Sequence, residues 1–475
     1  MNNMLNYLIY EPMLKYGADH VINVFNNVEL TYGYYANSIE LLSNELKEIN
    51  IQNEPVIVYM DDSPVCIICF LSLINIGAKP LIVSPKTIEK TLLQIIRLSK
   101  SRVILTEKNI ELNNTEIYTF KVIENSIVDK IKMIKETFII SGSTTYLGLT
   151  SGSSGIPKIV MHSADEMYSA IYHYAKNTLK ITEDDILFSV PKINFTYGLA
   201  NTVFFSFSTG AKAIIYAGSL EVSDIIKIIT ENKVTYFFAV PMLYKRMYDV
   251  LIQHNRDIST VKYFISAGEY LPQKVNEEWF SATKKYIYDS VGCSETGSAY
   301  LVNMNPKQKP GSAGTPVEGY KLHLIDGEEH EGQLIVEGPS NAIGYLNDKE
   351  NTSIKFRNKV IYTGDWFRRD EEDFYWFLGR YDDMIKKNGR WVSLNEISDF
   401  VKEDQNVRNA VTLLIRGKIV LIVDVNYDYD IVALQNQLID QLEHYKVPDM
   451  IYIDTIPINS NGKIDLRKLK DKYEN

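Results

Sequence analysis

Cysteine is scarce: Cys66, Cys69 and Cys293 are the only three in 475 residues. Three cysteines cannot build a disulfide framework, which points to a reducing compartment. Positive charge is in deficit, with 50 Lys and Arg against 60 Asp and Glu and a formal net charge of −10. Nonspecific nucleic-acid binding needs a basic footprint, so no nucleic-acid partner is expected. Long apolar runs are missing too. The most apolar stretch, residues 65–83, is interrupted by Asn75, Gly77, Lys79 and Pro80. A membrane span needs about 20 unbroken apolar residues, so this stretch reads as a buried helix running into a strand, without membrane insertion. The N-terminus, MNNMLNYLIYEPMLKYG, has no basic region and carries Glu11 early, unlike a signal peptide. A cytoplasmic location is the expectation. None of the seven histidines has zinc-like spacing.

What is present is material for a large core. The chain is 45% hydrophobic, and at roughly 100–200 residues per domain its length suggests two to four domains. Through the first 290 residues short β-rich runs alternate with amphipathic stretches. PVIVYM (55–60), PLIVSP (80–85), RVILTE (102–107), DILFSVP (185–191), KAIIYAG (212–218), YFFAVP (236–241) and YFISAG (263–268) read as strands. Residues 221–232 and 272–283 read as helices. Such alternation argues for an α/β fold of βαβ units with parallel sheets. Residues 311–380 are rich in glycine and short strands, which suggests a β-rich subdomain. Beyond residue 381 a hairpin (411–425), a helix (430–445) and a strand (450–458) fit a small α+β domain. The expected domains are therefore 1–380 and 381–475, joined by a short hinge.

The sharpest motif is YLGLTSGSSGIPKIVMHS (146–163). Thr150, Ser151, Gly152, Ser153, Ser154 and Gly155 supply hydroxyls and a backbone able to aim several N–H groups at one point; Lys158 adds a cation. The combination suits a polyphosphate, although Ser/Gly runs are also ordinary flexible loops. It is not a Walker A loop, because Lys158 follows Pro157. YDSVGCSETG (288–297) sets Glu295, a hard oxygen ligand suited to Mg²⁺, beside Gly292 and Ser294. YTGDWF (362–367) offers Asp365 as a carboxylate for ribose hydroxyls. Charge and glycine crowd residues 379–397, and NSNGKIDLRKL (459–469) places Lys463 in a loop. Cys66 and Cys69 form a CxxC pair on an apolar helix pattern and read as buried structural residues. His162 follows the loop, on the substrate side or in the core.

In this order and spacing, the motifs resemble the AMP-forming acyl- and aryl-CoA synthetases, the adenylate-forming (ANL) superfamily. The resemblance runs from residues 30–46 and 71–83 to Lys463–Leu469. Residues 193–215, 237–247 and 266–272 look most like the benzoate-CoA ligase branch. It implies a large N-terminal domain of two βαβ-type sheets plus a β-rich subdomain, and a small mobile C-terminal domain. It also implies activation of a carboxylic acid with ATP and Mg²⁺ to an acyl-adenylate, with pyrophosphate release. Transfer to a thiol follows, that of coenzyme A or of the phosphopantetheine of a carrier protein acting in trans. The shared motifs leave that choice open.

Position by position, the resemblance implies that Thr150–Lys158 hold the β- and γ-phosphates, Ser294 the α-phosphate and Glu295 the metal. Gly268, Glu269, Asp289, Ser290 and Val291 would line the adenine pocket. Asp365 and Arg380 would bind ribose. Lys463 would bridge the substrate carboxylate and the α-phosphate. Asp382 would be the hinge, and Gly389 would line the thiol tunnel in the second half-reaction. The acid would sit among Asn194, Phe195, Tyr197, Gly198, Ser266, Ala267, Gly292, Ser298 and Ala299. PKINFTYG offers no carboxylate for an α-ammonium group, which disfavours an amino acid. Benzoate ligases carry a histidine where this chain has Ser298, so a ring with a polar substituent, such as a hydroxybenzoate, fits the departure.

Overall fold

The computed structural model describes residues 3–108, 117–123, 126–127, 140, 142–150, 157–254, 257–304, 308–387, 390–402, 404, 406–425, 429–457, 464 and 466–474. The chain forms two compact units, Met1–Leu322 with Val336–Tyr362, and His323–Ile335 with Thr363–Asn475.

Two large sheets build the first unit. The strands Val21–Phe25, Lys212–Ile215, Ile186–Ser189, Tyr236–Ala239, Tyr263–Ala267 and Ile287–Gly292 lie parallel, side by side in that order. Antiparallel strands extend both edges to nine. The parallel strands are β-branched and aromatic, as burial on both faces requires. Between them run the helices Val222–Glu231, Pro241–His254 and Gln273–Thr283. Their apolar faces meet the sheet in a core that includes Ile225, Ile229, Phe237, Tyr244, Phe264 and Trp279.

The second sheet has eight strands, with Pro55–Tyr59 and Lys79–Val83 parallel at its centre. The helix Pro64–Asn75 leads into the latter strand, as the sequence indicates. Ser63 caps it by accepting from the Cys66 N–H at 3.1 Å, and Pro64 occupies the first turn where no N–H is needed. Cys66 and Cys69 are free thiols in its buried face, and burial pushes both thiols up, out of the reactive range. Among the described residues, no helix is long and apolar enough to cross a membrane.

The second unit holds antiparallel pairing of the β-rich region, Asp365–Arg369 against Tyr375–Arg380 among it. Trp366 is fully buried there, its ring 4.6 Å from Trp391 and 5.9 Å from Tyr381. A further sheet sets Lys418–Val425 antiparallel to Val407–Ile415 and parallel to Met450–Ile453. The helices Leu394–Lys402 and Ile431–Gln441 complete this α+β part. The expected strand 450–458 ends at Ile453, because the Ile456 N–H bonds the Asp424 carboxylate instead of a neighbouring strand. The α/β class, the paired sheets and the smaller α+β portion match the sequence reading.

Candidate functional site

Two paired strands flank the Ser/Gly run in the sequence. Thr144–Thr150 and Lys158–Ser163 pair antiparallel, with Tyr146 opposite His162, Gly148 opposite Val160 and Thr150 opposite Lys158. Leu147 and Ile159, on the odd-numbered face, enter a core with Ile57, Leu81 and Ile104. Alternation then places Tyr146, Gly148, Thr150, Lys158, Val160 and His162 together on the other face. Ser151, Gly152, Ser153, Ser154 and Gly155 lie outside the described residues. The sequence reading took residues 150–158 as a loop, and Thr150 and Lys158 belong to the two strands. The alternating Leu147, Leu149, Ile159 and Met161 were the strand signal available.

Three chain segments meet beside Lys158. Its Nζ donates to Asn351 Oδ1 at 2.9 Å and lies 5.0 Å from the centre of the Tyr345 ring. Gly344–Tyr345 is a short strand laid antiparallel on the hairpin, with Tyr345 opposite Val160. The Tyr345 hydroxyl donates to Glu295 Oε1. Glu295 sits in the single turn Ser294–Thr296, which is tied down by the Ala342 N–H donating to the Glu295 carbonyl at 2.8 Å. Asn351 and Lys355 belong to the helix Lys349–Lys355, capped by Asp348.

Electrostatics keeps this carboxylate charged. Burial acts to raise the Glu295 pKa, but the Lys355 charge, the Tyr345 hydroxyl and a backbone N–H together outweigh it and hold the carboxyl below its usual range. Burial first, and then the Glu295 charge, push the Tyr345 hydroxyl well up, so it stays protonated and donating. An ionised, buried carboxylate beside a lysine suits a Mg²⁺–phosphate pair. Among the described residues no group of three His, Cys, Asp or Glu could hold a metal. A Mg²⁺ ion here would draw one protein carboxylate and complete its shell with phosphate and water, its usual habit. Tyr345, Asn351 and Lys355 were missed in the sequence, where nothing in their spacing marks them.

A second group lies at the C-terminal ends of the parallel strands. Ser266 is opposite Asp289 and Ala267 opposite Ser290. Gly268, followed by Glu269, takes φ +90° and faces open space, so a ligand can approach its backbone. Burial pushes the Asp289 carboxyl up to about 8, and its Oδ1 has no partner. Val291 pairs with Leu301, and Gly292 with Ala299. A Cβ on Gly292 would fall 2.5 Å from the Ser298 carbonyl, so only glycine fits that turn.

The expected acid-binding residues are brought together in part. Asn194 and Phe195 share a crevice with Ile82, Tyr146, Gly148 and Thr196. Tyr197 donates to the Ile265 carbonyl at 3.3 Å, and Gly198 packs on the Lys192 carbonyl, where a Cβ would meet oxygen at 2.2 Å. Asp62 anchors this segment: both its oxygens accept from the Ile193 N–H at 3.2 Å.

Burial pushes the Asp62 carboxyl up to about 7, against the opposing pull of Lys192, whose Nζ stands 3.9 Å away. The Lys192 pKa is lowered, again by burial first. For both partners desolvation outweighs the pairing. An unfolded carboxyl ionises near 4, so stability contributed here is present at low pH and lost as pH rises from about 4 to about 7. Asp62→Asn is therefore expected to raise the melting temperature relative to the parent more at pH 8 than at pH 5, by on the order of a few °C. An equal difference at both pH values would refute this.

In the second unit, Asp365 and Arg380 face each other across two strands, with Nη1–Oδ1 at 2.6 Å. Gly364 takes φ +76°, and a Cβ there would press on Arg380 Nη2 at 3.0 Å. Asp382 lies in the turn Tyr381–Asp383. Gly389 and Lys463 lie outside the described residues.

The model of the family described as "AMP-binding enzyme" matches residues 12–346. A 3-hydroxybenzoate–CoA ligase of Aromatoleum sp. is 26% identical over 99% of this chain and 96% of its own length. An anthranilate–CoA ligase of Pseudomonas aeruginosa is 27% identical over 90% of this chain and 89% of its own. The crystal structure of a benzoate CoA ligase from Burkholderia xenovorans superposes with a TM-score of 0.81 at 24% identity, covering 99% of this chain and 100% of that one.

Proposed function

The chain belongs to the family of AMP-binding enzymes, and on that premise we propose that it is an aryl-acid–CoA ligase. In this reading the acid carboxylate attacks the α-phosphorus of ATP, pyrophosphate leaves and an acyl-adenylate forms. The thiol of coenzyme A then attacks the acyl carbon, AMP leaves and the thiol proton goes to solvent.

The observation that carries this reading is the charge arrangement around Lys158. Lys158 and the ionised Glu295 are both held against Tyr345. A fixed cation and a metal-ready carboxylate stabilise charge that develops as pyrophosphate departs. When bound, Mg²⁺ would supply further neutralisation of the phosphates, with Glu295 as its protein ligand. The relatives named for hydroxybenzoate and anthranilate support an aromatic acid, and Tyr146 and Phe195 give the crevice aromatic walls. We assign ribose to Asp365 and Arg380, adenine to the segment around Gly268 and Asp289, and the hinge to Asp382.

The test is acid-dependent pyrophosphate release, with the adenylate trapped by hydroxylamine, over aryl, fatty and amino acids with and without coenzyme A. One aryl acid should dominate, and coenzyme A should accelerate turnover and appear as the thioester. Adenylation with no CoA product would overturn the acceptor in favour of a carrier protein. Release only with fatty or amino acids would overturn the aryl assignment.

A further inference from the structure

Two buried polar atoms without a partner lie against Gly148. They are His162 Nε2 and Thr196 Oγ1. Buried polar groups are nearly always paired, and an orphan loses its hydration with no return. A Cβ built on Gly148 would sit 3.1 Å from His162 Nε2 and 3.6 Å from Thr196 Oγ1. The two unpartnered atoms therefore face the same side of the Gly148 backbone, and Gly148 and Thr196 line the same crevice as Asn194 and Phe195.

The imidazole is built to present one particular group there. His162 is wholly buried and stacks on Tyr146, with centroids 4.8 Å apart and planes at 13°. Its Nδ1 lies 2.9 Å from Glu166 Oε2. The other Glu166 oxygen accepts from the Ser163 N–H and hydroxyl at 3.0 and 2.9 Å. Glu166 is thus an acceptor on both oxygens, which assigns the imidazole proton to Nδ1. In the neutral imidazole Nε2 is then a lone pair, able to take a hydrogen bond and unable to give one.

We propose that His162 and Thr196 form a subsite that reads a hydrogen-bond donor, a hydroxyl or amino group, on the ring of the aryl acid, held over Gly148. The inference rests on the aryl-acid reading of this same site. A ring hydroxyl would donate to Nε2 and accept from the Thr196 hydroxyl. An amino group would donate to both. An unsubstituted ring, a halogen or an ether oxygen offers Nε2 nothing. Glu166 acts through His162 as a positioning residue.

The measurement is kcat/KM for adenylation of benzoate and of its hydroxy and amino derivatives at each ring position. The parent enzyme should favour one donor-bearing acid over benzoate on the order of 10–100-fold, within the range open to a site that hydrogen-bonds its substrate. Gly148→Ala places a methyl group against both polar atoms, and Thr196→Val removes the hydroxyl at nearly constant shape. Each should lower that ratio about tenfold. His162→Phe, which keeps the ring stack, should bring it close to one if the variant folds. Benzoate used as well as every derivative would overturn the subsite and leave the aryl-acid reading standing. A preference that survives in Gly148→Ala would also overturn it. If no aromatic acid is adenylated, the aryl-acid reading falls and the subsite with it.

Discussion

Lys463→Ala is expected to slow acyl-adenylate formation by about 10²–10³-fold while transfer from supplied acyl-adenylate to coenzyme A is largely retained. The first half-reaction brings two anions together, the substrate carboxylate and the α-phosphate. Lys463, in the sequence Asn461-Gly462-Lys463, would bridge them and offset their repulsion. The second half-reaction has no such encounter, because the adenylate is a neutral acyl carbon attacked by a thiol. Pyrophosphate release and thioester formation from synthetic adenylate, measured separately, decide the matter. Equal loss of both would remove the scheme in which the chain beyond Asp382 serves the two steps in different positions. Gly389→Trp should give the mirror image, with thioester formation impaired more than adenylation.

Glu295→Gln should cost adenylation on the order of 10²-fold, and raising Mg²⁺ should recover part of the loss. Glutamine preserves the shape and can still accept from Tyr345, so the variant isolates the charge. The neighbourhood is arranged for a negative charge: Lys355 and the Tyr345 hydroxyl hold the carboxyl below its usual range in spite of burial. Tyr345→Phe removes one hydrogen bond and leaves the charge. It should show a smaller effect, about 3–10-fold, read chiefly as a higher Mg²⁺ requirement. Activity in Glu295→Gln equal to the parent at every Mg²⁺ concentration would exclude Glu295 as a metal ligand.

The sequence made the sheets legible where hydrophobicity is continuous. Residues 236–239 and 263–267 are fully or mostly buried parallel strands, and such strands need no partner outside their own run to be recognised. Two motif glycines were legible for a related reason: Gly268 and Gly292 stand at positions where the backbone itself demands glycine. Tyr345 and Asn351 were not legible. Each acts on a residue far along the chain, Glu295 at a separation of 50 and Lys158 at 193, and such contacts leave no local periodicity. His162 was visible as a residue but not as a feature. Its meaning comes from Glu166 one helical turn on, and from the missing side chain at Gly148, which only the hairpin register sets beside it.

The hairpin strand Lys158–Ser163 also works as a ruler. Lys158 and His162 share a face, four residues apart, and an extended strand advances about 3.3 Å per residue, so their backbones stand about 13 Å apart. On the assignments proposed above, the activating end and the reading end of the substrate would be separated by a fixed length of backbone. Added carbons between carboxylate and ring would push the ring substituent past Gly148. Inserting one residue between Lys158 and His162 would do more than lengthen the measure: it would turn one of them to the opposite face. Selectivity for acid length and the placement of Lys158 would thus be tied to the same few peptide units.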